Sequence, residues 1–250
     1  MGIRPMVMLL NPLNLKNMTI IILMSIFVLS YILAFVWSYL IVHTTRFNSR
    51  LINDLSIGVP VFLKRNKLAI KNFFIVSITT CASLLMVGDS FFSFQRPSIL
   101  YFLFNFILFI VVDDIWFYFI HRLMHTNKWI YRNIHKVHHK AHPPIPIDYL
   151  YTHPLEAMSS SFGFILGVIL SIAVYGQVSF YVFTGYIIYR TIHELIVHSS
   201  LTVIPKKWLG IFGSSEHHFN HHKYLNGNYA SAFTYLDKIF GTDLKDKTVK

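Results

Sequence analysis

The stretch Ser98-Ile-Leu-Tyr-Phe-Leu-Phe-Asn-Phe-Ile-Leu-Phe-Ile-Val-Val-Asp113-Asp114-Ile-Trp-Phe-Tyr118-Phe-Ile-His121-Arg-Leu-Met-His125 decides the fold. From about Ser98 to Ile120 it is almost wholly apolar, and at about 1.5 Å per helical residue that is enough to cross a hydrocarbon core of about 30 Å. Pro97 suits a helix start. Carboxylates inside such a run are costly and usually functional. Asp114, Tyr118, His121 and His125 share one helical face, since residues three and four apart are neighbours. Asp114 either receives the second N–H of a ligating histidine or reaches interfacial water.

Outward from this stretch lie more apolar runs: Thr19 to Val42, about Leu68 to Val87, and about Met158 to Val197. The last is broken near Tyr175-Gly176-Gln177, a turn signal, and reads as a helical hairpin. Between the first two runs stand Arg46, Arg50, Lys64, Arg65, Lys67 and Lys71, against only Arg4 and Lys16 before them. The positive-inside bias puts that loop in the cytoplasm. His121 then emerges on the same side, followed by Arg122, Lys128, Arg132, Lys136 and Lys140. The expected architecture is an all-α, multi-pass membrane protein with about four transmembrane helices, the hairpin included. A cytoplasmic, histidine-rich cap holds a dinuclear metal site. Residues 1–97 form an N-terminal membrane part and residues 98–250 a catalytic domain. The host membrane is expected to be the endoplasmic reticulum in a eukaryote and the inner membrane in a bacterium.

Thirteen of the fourteen histidines lie between residues 121 and 222. They fall into clusters: His121-Arg-Leu-Met-His125, His135-Lys-Val-His138-His139 and His217-His218-Phe-Asn-His221-His222, with His193-Glu194-Leu-Ile-Val-His198 between them. Spacings of three and four turn imidazoles to one helical face, and neutral imidazole is the commonest metal ligand. One metal rarely takes more than six ligands, so eight to ten convergent histidines imply two. A single pair at this spacing usually binds nothing; three clusters on one membrane face are a different matter. His193 and His198 are five apart, so they do not form the zinc-protease motif. Glu194, four before His198, is a ligand, a partner standing behind a ligand, or a solvated helix end. His43, His142 and His153 are weaker candidates.

Composition supports lipid over a soluble core: 54% of the 250 residues are hydrophobic and 13% charged, against about 25% charged in soluble domains. The lone Cys81 excludes an internal disulfide framework. The net charge of +11 is accounted for by topology; no basic, aromatic-interleaved domain points to nucleic acid. A metal transporter would place its ligands near the bilayer midplane, and here most lie beyond the apolar runs. A zinc-dependent hydrolase needs far fewer histidines.

The order of these clusters resembles the fatty acid hydroxylase/sterol desaturase superfamily, and in particular its sterol C-4 methyl oxidase group. The likeness covers about residues 105 to 245. It includes Ile134-His135-Lys-Val-His138-His139, His153-Pro-Leu-Glu156, Gly227-Asn-Tyr-Ala-Ser-Ala-Phe-Thr234 and Asp237-Lys-Ile-Phe-Gly-Thr-Asp243. The resemblance implies a non-haem site of two iron ions, dioxygen as co-substrate, a lipid substrate and an external electron donor such as cytochrome b5 or a reductase. It implies ligands at His121, His125, His135, His138, His139, His198, His218, His221 and His222, with His193 a tenth candidate. Asp114 and Glu194 stand behind them. One departure concerns the substrate: after His198 the sterol oxidases carry Ser-Gly-Tyr-Asp, and this chain reads Ser199-Ser200-Leu201-Thr202.

Overall fold

The structure is a computed structural model that describes residues 12–87, 91–203, 205, 208 and 210–244; Arg4 lies outside them. It is mostly helical. Three helical stretches are long and apolar enough to cross a membrane: Met18–His43, Ile99–Thr126 and Pro154–Tyr175. They correspond to the first and third apolar runs and to the rising arm of the hairpin.

Helix α1 (Pro12–His43) packs against α2 (Val59–Val87). The pair runs antiparallel: Cys81 meets Met24 at one end, and Phe62 meets Phe35, Tyr39 and His43 at the other. Helix α3 (Ile99–Thr126) is capped by Ser98, whose hydroxyl accepts from Tyr101 N at 3.3 Å. The helix therefore begins two residues beyond the proline, with the cap between them. Three short elements follow: α4 (Lys128–Ile130), a π-helical turn (Tyr131–His135) and α5 (Lys136–His139). A 3-10 turn (Pro146–Leu150) precedes α6 (Pro154–Ser160) and α7 (Phe162–Tyr175). The expected break in the hairpin is Gly176, at φ +76°. A side chain is strained at that dihedral and glycine is not. Helix α8 (Phe180–Val197) then returns, and α9 (Ser215–Tyr224) and α10 (Tyr235–Ile239) follow among the described residues.

Helix α7 lies along α3. At Gly163 a Cβ would come within 2.8 Å of the Asp113 backbone, so only a glycine lets these helices approach so closely. At the end of the bundle far from the histidines, β1 (Phe92–Ser93) pairs in parallel with β2 (Val178–Ser179). At the other end gather the C-termini of α1, α3 and α8 and the N-termini of α2 and α6. Buried bonds fasten the connecting loops there. Arg65 of α2 meets Asp148 at 2.8 Å and donates to the Pro143 carbonyl at 2.9 Å. Asn72 donates to the carbonyls of Leu150 and Thr152 at 2.8 and 2.7 Å. Ser38 of α1 accepts from Ile147 N at 2.8 Å. The apolar helices thus form a stand, and the segment from 126 to 153 is fixed upon it.

Candidate metal centre

Nine histidines converge in two groups. His121, His125, His135, His139 and His221 form the first, and His138, His198, His218 and His222 the second. Within each, one ring nitrogen per residue lies within 4.8 Å of all the others. The last turn of α3 supplies His121 and His125. The π-helical turn ends on His135, and α5 follows at once with His138 and His139. Local π geometry is common at functional sites; here it joins α4 to α5 so that three imidazoles arrive beside α3. His198 caps α8. Helix α9 carries the rest, its N-terminus fixed by Ser214, which accepts from His217 N at 3.1 Å.

The protons show which nitrogens are free. His121 Nδ1 donates to the Tyr229 carbonyl at 2.8 Å and His221 Nδ1 to that of Gly227 at 2.8 Å. His198 Nδ1 donates to Glu194 O at 2.9 Å, and His138 Nδ1 lies 3.3 Å from Tyr151 O. His135 Nδ1 lies 2.9 Å from Glu156 Oε1. A neutral imidazole has one N–H. With that proton committed outward on Nδ1, each Nε2 points inward as a bare lone pair. Burial, and then the repulsion neighbouring imidazolium charges would exert, hold His135, His138, His139, His218, His221 and His222 well below the usual histidine range. These rings are neutral.

Yet the inward Nε2 atoms crowd together. His125, His135 and His139 lie 2.8 to 3.0 Å from one another. His218 is 3.0 Å from both His198 and His222, and His222 is 3.1 Å from His138. The rings whose proton is on Nδ1 each turn a lone pair toward these clusters, where a metal ion can be held. With imidazole–metal bonds of about 2.1 Å, ligands at right angles stand about 3.0 Å apart, and tetrahedral ones about 3.4 Å. The spacing fits right-angled coordination, so the donor set fits two metal ions.

His193 belongs to neither group: its Nε2 lies 3.1 Å from Ser231 Oγ. Asp114 does not reach a histidine. Its Oδ1 accepts from Ala232 N at 2.8 Å and Phe233 N at 3.4 Å, steadying the loop whose Tyr229 carbonyl orients His121. Asp113 is buried rather than wet, accepting from the Tyr186 hydroxyl at 2.6 Å and pairing with Arg190. Glu194 stands behind His198, holding its Nδ1 through the backbone oxygen.

Two supports stand in the sequence reading only as members of matched motifs, with no role assigned. Glu156, 5% exposed, backs His135; a lone carboxylate in an apolar stretch was the available signal, by the reasoning that singled out Asp113 and Asp114. Asp237 clamps the loop that serves both His121 and His221. Its carboxylate accepts from Tyr229 N at 2.9 Å, Ala230 N at 3.0 Å and the Thr242 hydroxyl at 2.7 Å, and lies 3.1 Å from His217 Nε2. Burial alone would push this carboxyl up; His217, Thr242 and the Ala230 N–H together hold it below the usual carboxylate range. Gly227 lies so close to the Thr242 carbonyl and the Leu244 side chain that no Cβ fits.

Beside the histidines is a cavity of about 250 Å³, bounded by His135, His138, His198 and His218 on one side and by Phe27 of α1 and Val76 of α2 on another. It therefore extends from the imidazoles between the membrane helices.

The sequence model of the fatty acid hydroxylase family matches residues 106–242. Over 137 residues the chain is 37% identical to methylsterol monooxygenase 1 of Rattus norvegicus, covering 54% of this chain and 45% of that protein. A putative methylsterol monooxygenase of Dictyostelium discoideum is 36% identical over 151 residues, 60% of this chain and 54% of that protein. A very-long-chain aldehyde decarbonylase of Oryza sativa subsp. indica is 34% identical over 149 residues, 58% of this chain and 54% of that protein. The chain thus spans about half the length of the curated relatives it matches. No solved structure gives a significant match.

Proposed function

We propose, since this chain belongs to the fatty acid hydroxylase family, that it is a membrane-bound non-haem di-iron oxygenase. It hydroxylates or desaturates a lipid C–H bond, a sterol or sterol-like lipid by preference, using dioxygen and electrons from outside the chain. The observation that carries this reading is the pair of converging imidazole groups, of five and four rings, beside a cavity between membrane helices.

His121, His125, His135, His139 and His221 would hold one iron, and His138, His198, His218 and His222 the other. Bound there, two irons would supply between them electrons for cleaving dioxygen. The chain's own work is positioning and exclusion. Tyr229, Gly227, Tyr151 and Glu194 take the Nδ1 protons through their carbonyls and so fix each ring's tautomer and aim. Phe27 and Val76 line an apolar entry through which a lipid reaches the site without leaving the bilayer. An electron donor, cytochrome b5-like or a reductase, approaches from the cytoplasmic side. There Lys128, Arg132, Lys136 and Lys140 are exposed on the very segment that bears His135, His138 and His139. Topology accounts for that charge, and an acidic donor would gain on-rate from it.

The test is lipid mass spectrometry under labelled dioxygen, in sterol-containing cells expressing the protein or its His138→Ala variant. New label in a sterol that depends on His138 is the expected result and locates the oxidised carbon. Label or a new double bond in a fatty acyl chain or ether lipid would move the substrate class. No change in any lipid, with no iron in the purified protein, would sink the reading.

A further inference from the structure

Helix α3 turns one stripe of side chains outward. Phe104, Ile107, Val111, Ile115 and Phe119 are apolar and exposed, spaced three and four apart as a single helical face requires. From Ile99, the first residue of α3, to Phe119 is about 30 Å along the axis, the thickness of a hydrocarbon core. Phe119 therefore stands at the edge of that core on the histidine side. The stripe continues there onto α10. The Phe240 ring lies 5.5 Å from that of Phe119 and 5.4 Å from that of Tyr118, and Ile239 beside it is 68% exposed. Arg122 Cζ lies 5.5 Å from the centroid of the Phe240 ring, where an arginine keeps its stem on apolar surface and its charge among headgroups.

A turn around Gly210 is bonded to the same helix. Thr234 N donates to Ile211 O at 3.1 Å and the Thr234 hydroxyl to Gly210 O at 2.6 Å, and Lys238 Nζ donates to that carbonyl too. Trp208, Ile211 and Phe212 are exposed on this turn. Apolar side chains exposed singly are ordinary, but a group of them on one short helix and the turn bonded to it marks an interaction surface. We propose that α10 and the Gly210 turn form a seat on the bilayer, with Ile211, Ile239 and Phe240 in the acyl region of the leaflet on the histidine side and Trp208 at its interface. The occupant is phospholipid, because the patch continues the outward stripe of α3 at a depth that the bilayer already fills. Asp237, on the same helix, is buried and holds the loop behind His121 and His221. The seat thus ties the height of the histidine groups to the membrane surface. It does not depend on which reaction the metals perform.

The test is spin-label accessibility in phosphatidylcholine nanodiscs, on the full chain with its metals. Cys81 is the only cysteine, so Cys81→Ser provides a background for single labelled sites. Labels are placed at Ile239→Cys and Ile211→Cys. Phe104→Cys, in the α3 stripe, is the lipid reference, and Asp54→Cys, exposed in the loop between α1 and α2, is the aqueous one. Collisions with dioxygen, which concentrates in hydrocarbon, are compared with those of a water-soluble nickel chelate. The oxygen-to-nickel ratio at both sites is expected to be close to that at Phe104→Cys and several-fold above that at Asp54→Cys. Either label as open to nickel as the one at Asp54→Cys overturns the proposal. So do labels shut off from both reagents and broadened by a neighbouring spin, since a second copy of the chain would then cover the face. A readout without labels is the quenching of Trp208 fluorescence by phospholipid brominated in its chains, taken as the difference between wild type and Trp208→Phe. Quenching of that difference is expected, and its absence overturns the seat as well.

Discussion

The two imidazole groups are built from one residue type but are held differently. The group of five draws two rings from α3, two from the segment ending α5 and one from α9. It is backed by the 227–230 loop and by Glu156. The group of four takes His138 from α5, His198 from the end of α8, and His218 and His222 from α9. Three of its four rings face the cavity. Two rings of the larger group, His121 and His135, line it too, so the smaller group shows the larger share of its rings to the cavity. The difference teaches that position, not ligand chemistry, separates the two groups: both are all-imidazole, and they differ in the elements that hold them and in how much of each faces the cavity.

The largest effect should come from removing one ring from each group. His221→Ala and His138→Ala are both expected to abolish turnover, because two metals are needed together. Metal analysis should nevertheless distinguish them from the wild type in the same way, each retaining about one ion per chain rather than two. A variant that keeps both ions removes that histidine from the ligand set. A variant that loses both would mean that the groups assemble as one unit, and the comparison would collapse.

Most of the scaffold was legible in the chain. Runs of apolar residues give the crossings, the Tyr175-Gly176-Gln177 break gives the hairpin turn, and the three-and-four spacing gives the histidine faces. These are local properties, set by helix geometry and by the cost of exposing apolar side chains or burying polar backbone. What sequence could not give was the sorting of nine rings into five and four. His138 and His139 are adjacent yet belong to different groups, because successive residues on a helix point about 100° apart. Which group each ring joins depends on how α9 docks against α5. His193 illustrates the same limit. The resemblance made it a tenth candidate, but its Nε2 lies beside Ser231. The tail motif around Gly227 and Asp237 was visible only as a pattern. Its physical work, supplying carbonyls to two rings and clamping their loop, is a matter of contacts between residues 108 and 6 positions apart.

An intermediate effect should follow from loosening that clamp. Asp237→Asn leaves every imidazole in place but weakens the hold on Tyr229 N and Ala230 N, and so on the carbonyl that orients His121. Losing a group that orients a ligand typically costs about 10–100-fold in metal affinity. The loss should fall on the group of five, read as one ion released by a competing chelator well before the other. Both ions leaving together at the same chelator concentration would show that the loop supports the whole centre rather than one half.

The smallest effect is expected at His193. Like His217, which contacts Asp237, it belongs to a late cluster and takes part in neither group. Its ring stacks on Tyr189, and its Nε2 approaches Ser231 Oγ at 3.1 Å, on the loop that Asp114 also steadies through Ala232. If nine rings suffice, His193→Asn, which keeps a polar side chain near Ser231, should retain two ions per chain and most of the wild-type turnover. Loss of an ion in this variant would mean that the ring swings from Ser231 to a metal on loading. The division would then be nearer five and five, and the smaller group would no longer be the more open one.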